Sequence, residues 1–223
     1  MKRKLLLNKP LDWVVPVRCA TLEQFLELNN WAEVLGVLFV DIDKLDLKID
    51  TSNPRVKWLV YCQCLTELRD KIDKFLTITF GDVPIEIGAS GMTINGELIT
   101  PLFWQQFLDI VVEMYRLDWE VLRPTKPTNS KVAEMKARLQ QTRDAVRRVK
   151  EKEGKVQTVE GMIVGLCGRD PSLNFLNVFE LNYYQFIHTI QSVNSVDDFE
   201  FSMNALLQGA DPKKVKPKHW TEQ

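Results

Sequence analysis

The acidic stretch DIDKLDLKID, from Asp41 to Asp50, is the first place where residue types could do chemistry, because closely spaced carboxylates can hold a cation. A calcium loop also needs glycine at its sixth position and glutamate at its twelfth, and this stretch has neither. Leucine and isoleucine fill alternate positions instead. The pattern therefore favours a solvated strand or loop edge over a metal site.

The cysteines and histidines lack the spacing of a metal site or a catalytic pair. They are Cys19, Cys62, Cys64, Cys167, His188 and His219. A helix would turn the two thiols of the C-x-C pair at 62 and 64 about 200° apart. His188 lies among apolar residues in YYQFIHTI, which favours a packed, hydrogen-bonded side chain over a catalytic one. We therefore expect reduced thiols, no bound metal and no cofactor.

Motifs of the common enzyme classes are absent from the sequence. It contains no G-x-S-x-G, H-E-x-x-H, P-loop or dinucleotide-binding pattern. GASGMTING is rich in glycine, but it has no Lys-Ser or Lys-Thr pair for phosphate binding, and its Asn95-Gly96 pair is typical of a type I′ hairpin turn. The expectation is a protein that is not an enzyme.

The segment SKVAEMKARLQQTRDAVRRVKEKEGK, from Ser130 to Lys155, combines a basic charge with an apolar seam. It holds nine lysines or arginines against four acids. Its seam follows intervals of 3, 4, 3, 4 and 3 residues with one polar member, which is the a/d pattern of a helix that packs on another helix. The seam consists of Val132, Met135, Leu139, Thr142, Val146 and Val149.

Three partners for this seam stay open. A helix of the same chain would cover it in a bundle. An acidic helix of another protein would cover it in a coiled coil and pair with cations such as Arg143, Arg147 and Arg148. Nucleic acid is the least favoured partner, because the segment has no aromatic residue for base stacking and phosphate binding alone needs no apolar stripe.

The composition is that of a folded protein. Of the 223 residues 45% are hydrophobic, and 29 basic residues nearly balance 30 acidic ones. This apolar content can form a core, and the small net charge argues against nonspecific binding to polyanions. MKRKLLLNKP has too short an apolar stretch for a secretory signal, and no run approaches the ~18 apolar residues of a membrane span. We expect neither export nor membrane contact.

Periodicity predicts a mainly α protein with a minor β element, a helical bundle with a small β-hairpin and a long basic heptad helix. The predicted elements are a strand over 11–20, a helix over TLEQFLELNNWAEVLG with a capping box at its start, helices from 54 to 76 and from Pro101, and a hairpin near 80–100. Short helices are predicted at roughly 157–167, 173–179, 183–193 and 196–208, with caps at Asn182 and Ser195 and a C′ residue at Gly209.

The predicted organisation has four parts. They are an N-terminal α+β core over 1–122, a linker with the basic helix over 123–155, a short-helix module over 156–209 and a lysine-rich tail over 210–223. The boundary near 123 rests on RPTKPTN, a proline-bearing break.

Residues 156–220 are predicted to form a short helix, a break, the helix start VFELNYYQF, a further helix that ends at glycine, and a lysine-rich tail with a tryptophan. In this order of elements they resemble the closing region of bacteriophage tail assembly chaperones. It implies a small helical protein of the host cytoplasm that coats the tape measure protein, a long and largely helical chain, while the tail tube polymerises around it.

The predicted function is accordingly a noncatalytic tail assembly chaperone with a helical protein client. The predicted client-binding residues are Val132, Met135, Leu139, Val146, Val149, Arg143, Arg147, Arg148, Phe175, Phe179 and Tyr183. A structural tail or baseplate subunit that stays in the virion is the first alternative. A nucleic-acid-binding module that uses the basic helix is the second, and self-association into a homo-oligomer is left open.

Overall fold

The computed structural model describes residues 1–28, 30–45, 49–50, 52–88, 90–118, 122, 158–219 and 221. The segment from Ser130 to Lys155, with its seam and flanking arginines, lies outside the described residues. The predicted fold class is confirmed, because the described residues form mainly α-helices and one small antiparallel sheet.

The described helices of the N-terminal half are α1 (Lys2–Leu6), α2 (Leu22–Glu27), α3 (Trp31–Leu38), α4 (Pro54–Glu67), α5 (Arg69–Phe80) and α6 (Pro101–Met114), with a 3₁₀ helix at Ile42–Lys44. Three of them, α2, α4 and α6, begin at a side-chain cap. The predicted capping box starts α2, where the Thr21 hydroxyl accepts a hydrogen bond from the Gln24 backbone N–H at 3.2 Å. Asn53 and Thr100 cap α4 and α6, both of which begin with proline. Each cap satisfies a backbone N–H that has no partner within its helix.

Two predicted helices are each divided into a pair. Asn30 is the N-cap position of α3, and its amide donates to the Lys71 carbonyl at 3.3 Å, a bond that competes with a continuous helix from α2. Leu68 separates α4 from α5 with φ −109° and ψ 21°. In the turn before it, the Thr66 hydroxyl donates to the Cys62 carbonyl at 2.9 Å, and such bonds bend helices.

The predicted hairpin is confirmed, and a third strand extends it. The strands β1 (Ile85–Gly88), β2 (Gly91–Ile94) and β3 (Glu97–Ile99) form a sheet in the order β1-β2-β3. Ile94 pairs with Glu97 across a two-residue turn. Asn95 and Gly96 have φ values of 55° and 79°, as a type I′ turn requires.

The strand predicted over 11–20 is wrong. Leu11 and Val17 form one isolated bridge, in which their backbone groups exchange hydrogen bonds of 2.7 and 3.0 Å. Pro16 has no N–H to extend the pairing, so the segment closes on itself as a loop instead of joining the sheet.

The core of the N-terminal half is built around α6. Trp104, Phe107, Leu108, Val111 and Met114 are buried on one of its faces. They pack with buried residues of α3, α4, α5 and the sheet in one hydrophobic cluster. In the first turn of the same helix, Leu102 and Phe103 are 68% and 41% exposed.

The described C-terminal elements are α7 (Val159–Arg169), a 3₁₀ helix (Val178–Glu180) and α8 (Tyr183–Leu207). The predicted cap at Asn182 and the C′ residue Gly209, with φ 93°, are confirmed. The predicted break at Ser195 is wrong, because its hydroxyl donates to the Gln191 carbonyl at 2.9 Å within one continuous helix. The helix predicted over 173–179 is also wrong, since only the 3₁₀ helix forms near its end.

The chain divides into two compact units. The first comprises Met1–Arg123 with Leu176–Gln223, and the second is Pro124–Phe175. This grouping differs from the predicted one, which kept residues 156–209 together as a module. The reason lies at Asn182, which is fully buried and whose amide donates to the Leu5 carbonyl at 2.8 Å, so that the start of α8 is held to α1.

Aromatic rings also join the start of α8 to the core of the first unit. The centroid of the Tyr183 ring lies 4.1 Å from that of Phe25 and 5.6 Å from that of Tyr115. The Trp31 ring lies 4.5 Å from Tyr115 and 5.7 Å from Phe75. Such pairs contribute roughly 0.5–1.5 kcal/mol each beyond the area they bury. The first half of α8 is thus an integral part of the first unit.

Candidate functional site

The second half of α8 exposes large apolar side chains. We define the distal surface as Phe201, Met203 and Leu207, which are 78%, 38% and 80% exposed. The helix extends this far because it contains neither proline nor glycine before Gly209. Within α8, Phe186 is the last buried residue. Exposed large apolar side chains on one helix are typical of a surface that binds another protein.

The charge of α8 is acidic. The helix contains Asp197, Asp198 and Glu200 and has no lysine or arginine. Met203 and Leu207, four residues apart, lie on one helical face, whereas Phe201 lies more than ~100° around the axis from either. A partner that buries all three must therefore wrap part of the helix.

Three of the predicted client-binding residues are described, and their environments differ. Phe175 is 58% exposed and accessible to a partner. Phe179 is half-buried. Tyr183 is half-buried and packs against the hydrophobic core through the ring contacts given above. The remaining eight lie outside the described residues, so their role stays a prediction: Val132, Met135, Leu139, Arg143, Val146, Arg147, Arg148 and Val149.

The second unit contributes α7, an amphipathic helix with an exposed side. Its N-cap Thr158 accepts a hydrogen bond from the Gly161 N–H at 3.1 Å. Ile163 and Leu166 are buried, whereas Val164 is 59% exposed. This unit therefore also presents apolar side chains to solvent, at Val164 and at Phe175.

A pocket of about 300 Å³ lies between α4, α6 and the segment around Ile42. We define it as the aromatic pocket, because Trp58, Tyr61 and Trp104 contribute to its lining. The Tyr61 hydroxyl donates to the Leu38 carbonyl at 2.6 Å and accepts from the Trp104 indole N–H at 2.8 Å. These bonds fix the rings, so the pocket is preformed.

The thiols of Cys19, Cys62 and Cys64 are not suited to nucleophilic chemistry. Burial raises the pKa of both Cys19 and Cys62 to about 12, and it also raises the pKa of Cys64. The thiolate is the nucleophilic and metal-binding form, so these groups stay protonated at neutral pH. Within the part of the chain that the structure describes, no cluster of three or more His, Cys, Asp or Glu residues could hold a metal ion.

His188 occupies a partly buried position next to charged groups. Its ring centroid lies 4.3 Å from that of Tyr184. Burial is the main cause that lowers its pKa, nearby Arg116 and Lys2 act in the same direction, and Glu113 opposes them. Its Nε2 is buried and finds no hydrogen-bond partner among the described residues, in contrast to the hydrogen-bonded histidine that the sequence predicts. The group is therefore neutral at pH 7.

None of the helices in the described ranges is long and apolar enough to cross a membrane.

Residues 150–223, about a third of the chain, match the family described as the YomV second domain, a phage-type domain. The match includes α7 and α8 and overlaps the region that resembles phage tail assembly chaperones. It supports a bacteriophage protein in general. No curated protein and no solved structure matches the chain.

The aromatic pocket and the distal surface are features that the sequence analysis missed. In the sequence, Trp58 and Trp104 fit the apolar faces of their helices. The space between the two helices depends on how closely α4 approaches α6, which the sequence does not indicate. A signal for the distal surface was present in the sequence, since Phe201 and Leu207 do not fall on one face of a helix. Two faces with large apolar residues near the end of a helix indicate that one of them is uncovered.

Proposed function

We propose that this protein is a noncatalytic bacteriophage tail assembly chaperone that acts in the host cytoplasm on a helical client, the tape measure protein. The observation that carries the proposal is the exposure of large apolar side chains in the region that matches a phage-type domain. Val164, Phe175, Phe201 and Leu207 are each more than half exposed. Side chains of this kind can cover the apolar stripe of a client helix and keep it soluble.

The basic segment from Ser130 to Lys155 supplies a second contact in this proposal. Its seam can pair with an apolar stripe of the client, and Arg143, Arg147 and Arg148 can pair with client carboxylates. This part rests on the sequence pattern and on the resemblance to tail assembly chaperones.

The distal surface is tested by substituting Phe201 and Leu207 with aspartate in the full chain. We expect the double variant to bind the tape measure protein at least tenfold more weakly than wild type in a pull-down, because each aspartate places a charge where an apolar contact forms. Leu7→Asp is the matched control, since Leu7 is 54% exposed and lies outside the matched residues 150–223. Wild-type affinity in the double variant would exclude the distal surface as a docking site.

The seam is tested by Leu139→Asp together with Val146→Asp. The proposal expects loss of client binding with an unchanged circular dichroism spectrum. Unfolding of this variant would instead show that the seam belongs to an internal core.

A structural tail or baseplate subunit is the alternative that the phage-type match supports equally well. Quantitative mass spectrometry of purified particles separates the two roles, because a chaperone leaves and a subunit is present in stoichiometric amounts. The nucleic-acid alternative predicts binding that weakens steeply with salt and survives loss of the seam.

A further inference from the structure

A pocket of about 430 Å³ lies within the first unit, where the end of α1, the segment before α2, α5 and the start of α8 come together. Leu5 and Asn8 line it from the first of these segments, Ile78 lines it from α5, and Asn182 lines it from the cap of α8. The described residues that line it include no aromatic residue. A pocket of this volume can hold a small organic molecule, and this one offers no ring on which a base could stack.

We define this cavity as the basic pocket, because Lys9 and Arg18 are its charged lining residues and no acidic residue lines it in the part of the chain that the structure describes. Both side chains are exposed. Neither forms an ion pair with a described carboxylate. Asp12, which follows Lys9 by three residues, pairs with Lys4 instead. Two cations in one concave site attract an anion of about two negative charges.

Hydrogen bonds hold the backbone at both cations. α1 ends in a Schellman motif, in which the N–H groups of Asn8 and Lys9 donate to carbonyls of the helix at 3.1 and 2.8 Å. Asn8 has the left-handed conformation that this motif needs, with φ 51°. The Arg18 N–H donates to the Thr79 carbonyl at 2.9 Å. The two charged side chains therefore start from fixed points of the pocket wall.

Uncharged hydrogen-bond donors line the same pocket. Thr21 and Gln24 form the capping box of α2, in which the Thr21 hydroxyl oxygen accepts from the Gln24 N–H and the Gln24 side-chain oxygen accepts from the Thr21 N–H at 3.0 Å. Both bonds use oxygen atoms, so the hydroxyl proton of Thr21 and the side-chain amide protons of Gln24 remain available. Phosphate oxygens accept hydrogen bonds from such groups as well as from arginine and lysine.

We infer that the basic pocket binds a small, polar, non-aromatic phosphate ester. A phosphate monoester carries a charge of about −1.5 to −2 at pH 7, which matches the two cations. The Arg18 guanidinium and the Lys9 amine bind the phosphate oxygens, and Gln24 donates to a further oxygen of the ligand. The pocket is larger than a phosphate ion, so it also encloses part of the organic group. The inference goes beyond the proposed function, and it uses none of the residues of the proposed client surfaces.

Glycerol 3-phosphate is the probe, and glycerol, inorganic phosphate and adenosine monophosphate are the comparison ligands. Each is titrated into the isotope-labelled full-length protein and followed by NMR. We expect glycerol 3-phosphate to shift the backbone N–H signals of Lys9 and Cys19 and the side-chain amide signals of Gln24, and to bind at least tenfold more tightly than glycerol. Inorganic phosphate should bind more weakly than glycerol 3-phosphate, because it lacks the polyol. Adenosine monophosphate should bind no more tightly, because its base finds no ring to stack on.

Arg18→Gln removes one cation and leaves the backbone bond to Thr79 in place. We expect this variant to bind glycerol 3-phosphate at least tenfold more weakly than wild type, and Lys9→Gln should also weaken binding. Arg55→Gln is the matched control, since Arg55 is an exposed arginine of α4 that lines neither this pocket nor the aromatic pocket, and its change should leave the affinity unchanged. Circular dichroism verifies that all three variants are folded.

Several results would overturn the inference. They are unchanged NMR signals with glycerol 3-phosphate, equal affinity for glycerol, tighter binding of inorganic phosphate or adenosine monophosphate, and equal weakening by Arg55→Gln and Arg18→Gln. The proposed function does not depend on these results, because binding of the tape measure protein is tested at Phe201 and Leu207, which do not line the basic pocket.

Discussion

At the scale of single residues, Asn182 connects parts of the described chain that are far apart in sequence. Its amide donates to the Leu5 carbonyl at 2.8 Å and to the Asn8 side-chain oxygen at 3.1 Å, across separations of 177 and 174 residues. Its own oxygen accepts from the Gln185 N–H at 2.8 Å and so caps α8. One buried side chain thus fixes both the start of the helix and its attachment to α1.

Replacement of Asn182 by alanine should lower the free energy of unfolding by about 2–3 kcal/mol, since it removes the cap of α8 and the buried hydrogen bonds to the Leu5 carbonyl and the Asn8 side chain. Urea denaturation followed by circular dichroism measures the effect. Asn204→Ala is the matched control, because Asn204 is an exposed residue of the same helix and its change should stay within about 0.5 kcal/mol. Equal effects of the two substitutions would show that Asn182 has no special role.

His188 gives a pH dependence with a definite sign. Its pKa in the folded protein is lowered, chiefly by burial, so the unfolded chain takes up a proton at a higher pH than the folded chain does. Its contribution to stability is therefore present above the unfolded pKa of about 6.5 and decreases as the pH falls below that value. His188→Gln should flatten the decline in stability below pH 6.5. An unchanged pH profile, or a histidine that titrates above 6.5 by NMR, would contradict this assignment.

At the scale of secondary structure, the sequence predicts where helices start better than where they stop. The sequence indicates the four caps at Thr21, Asn53, Thr100 and Asn182, because a capping side chain bonds to backbone groups within three residues of itself. The sequence does not indicate that the helix predicted over 54–76 divides into α4 and α5, because this division depends on how each half packs on the core. The prediction of a strand over 11–20 is wrong for a similar reason, because β propensity does not indicate whether a segment has another strand to pair with.

The β2-β3 turn allows a direct test of backbone strain. Gly96 has φ 79°, and alanine in the left-handed region costs about 1–2 kcal/mol, so Gly96→Ala should destabilise the protein by that amount. Gly36→Ala is the control: Gly36 is inside α3 with no atom within 4 Å of the added methyl group, so alanine should raise stability by up to about 1 kcal/mol. Thermal unfolding of both variants measures the contrast. Loss of stability at Gly36 equal to that at Gly96 would argue against a strained turn.

At the scale of the whole molecule, the aromatic pocket and the distal surface were harder to predict than the fold class. Mainly α structure with a small hairpin follows from periodicity and turn residues. The aromatic pocket instead depends on the distance between α4 and α6, and the exposure of Phe201 and Leu207 depends on the absence of a covering element near them in the described chain. The apolar seam of the segment from Ser130 to Lys155 is the reverse case. The sequence defines the spacing of its residues, whereas their environment lies outside the described residues.

We propose that this protein keeps a helical phage client soluble through exposed apolar side chains. The most direct measurement is the soluble fraction of the tape measure protein from the same genome, expressed alone, with the wild-type chain and with the Phe201→Asp/Leu207→Asp variant. We expect the tape measure protein to be mostly insoluble alone, mostly soluble with the wild-type chain, and again insoluble with the variant. The same soluble fraction in the presence and in the absence of the wild-type chain would contradict the proposed function.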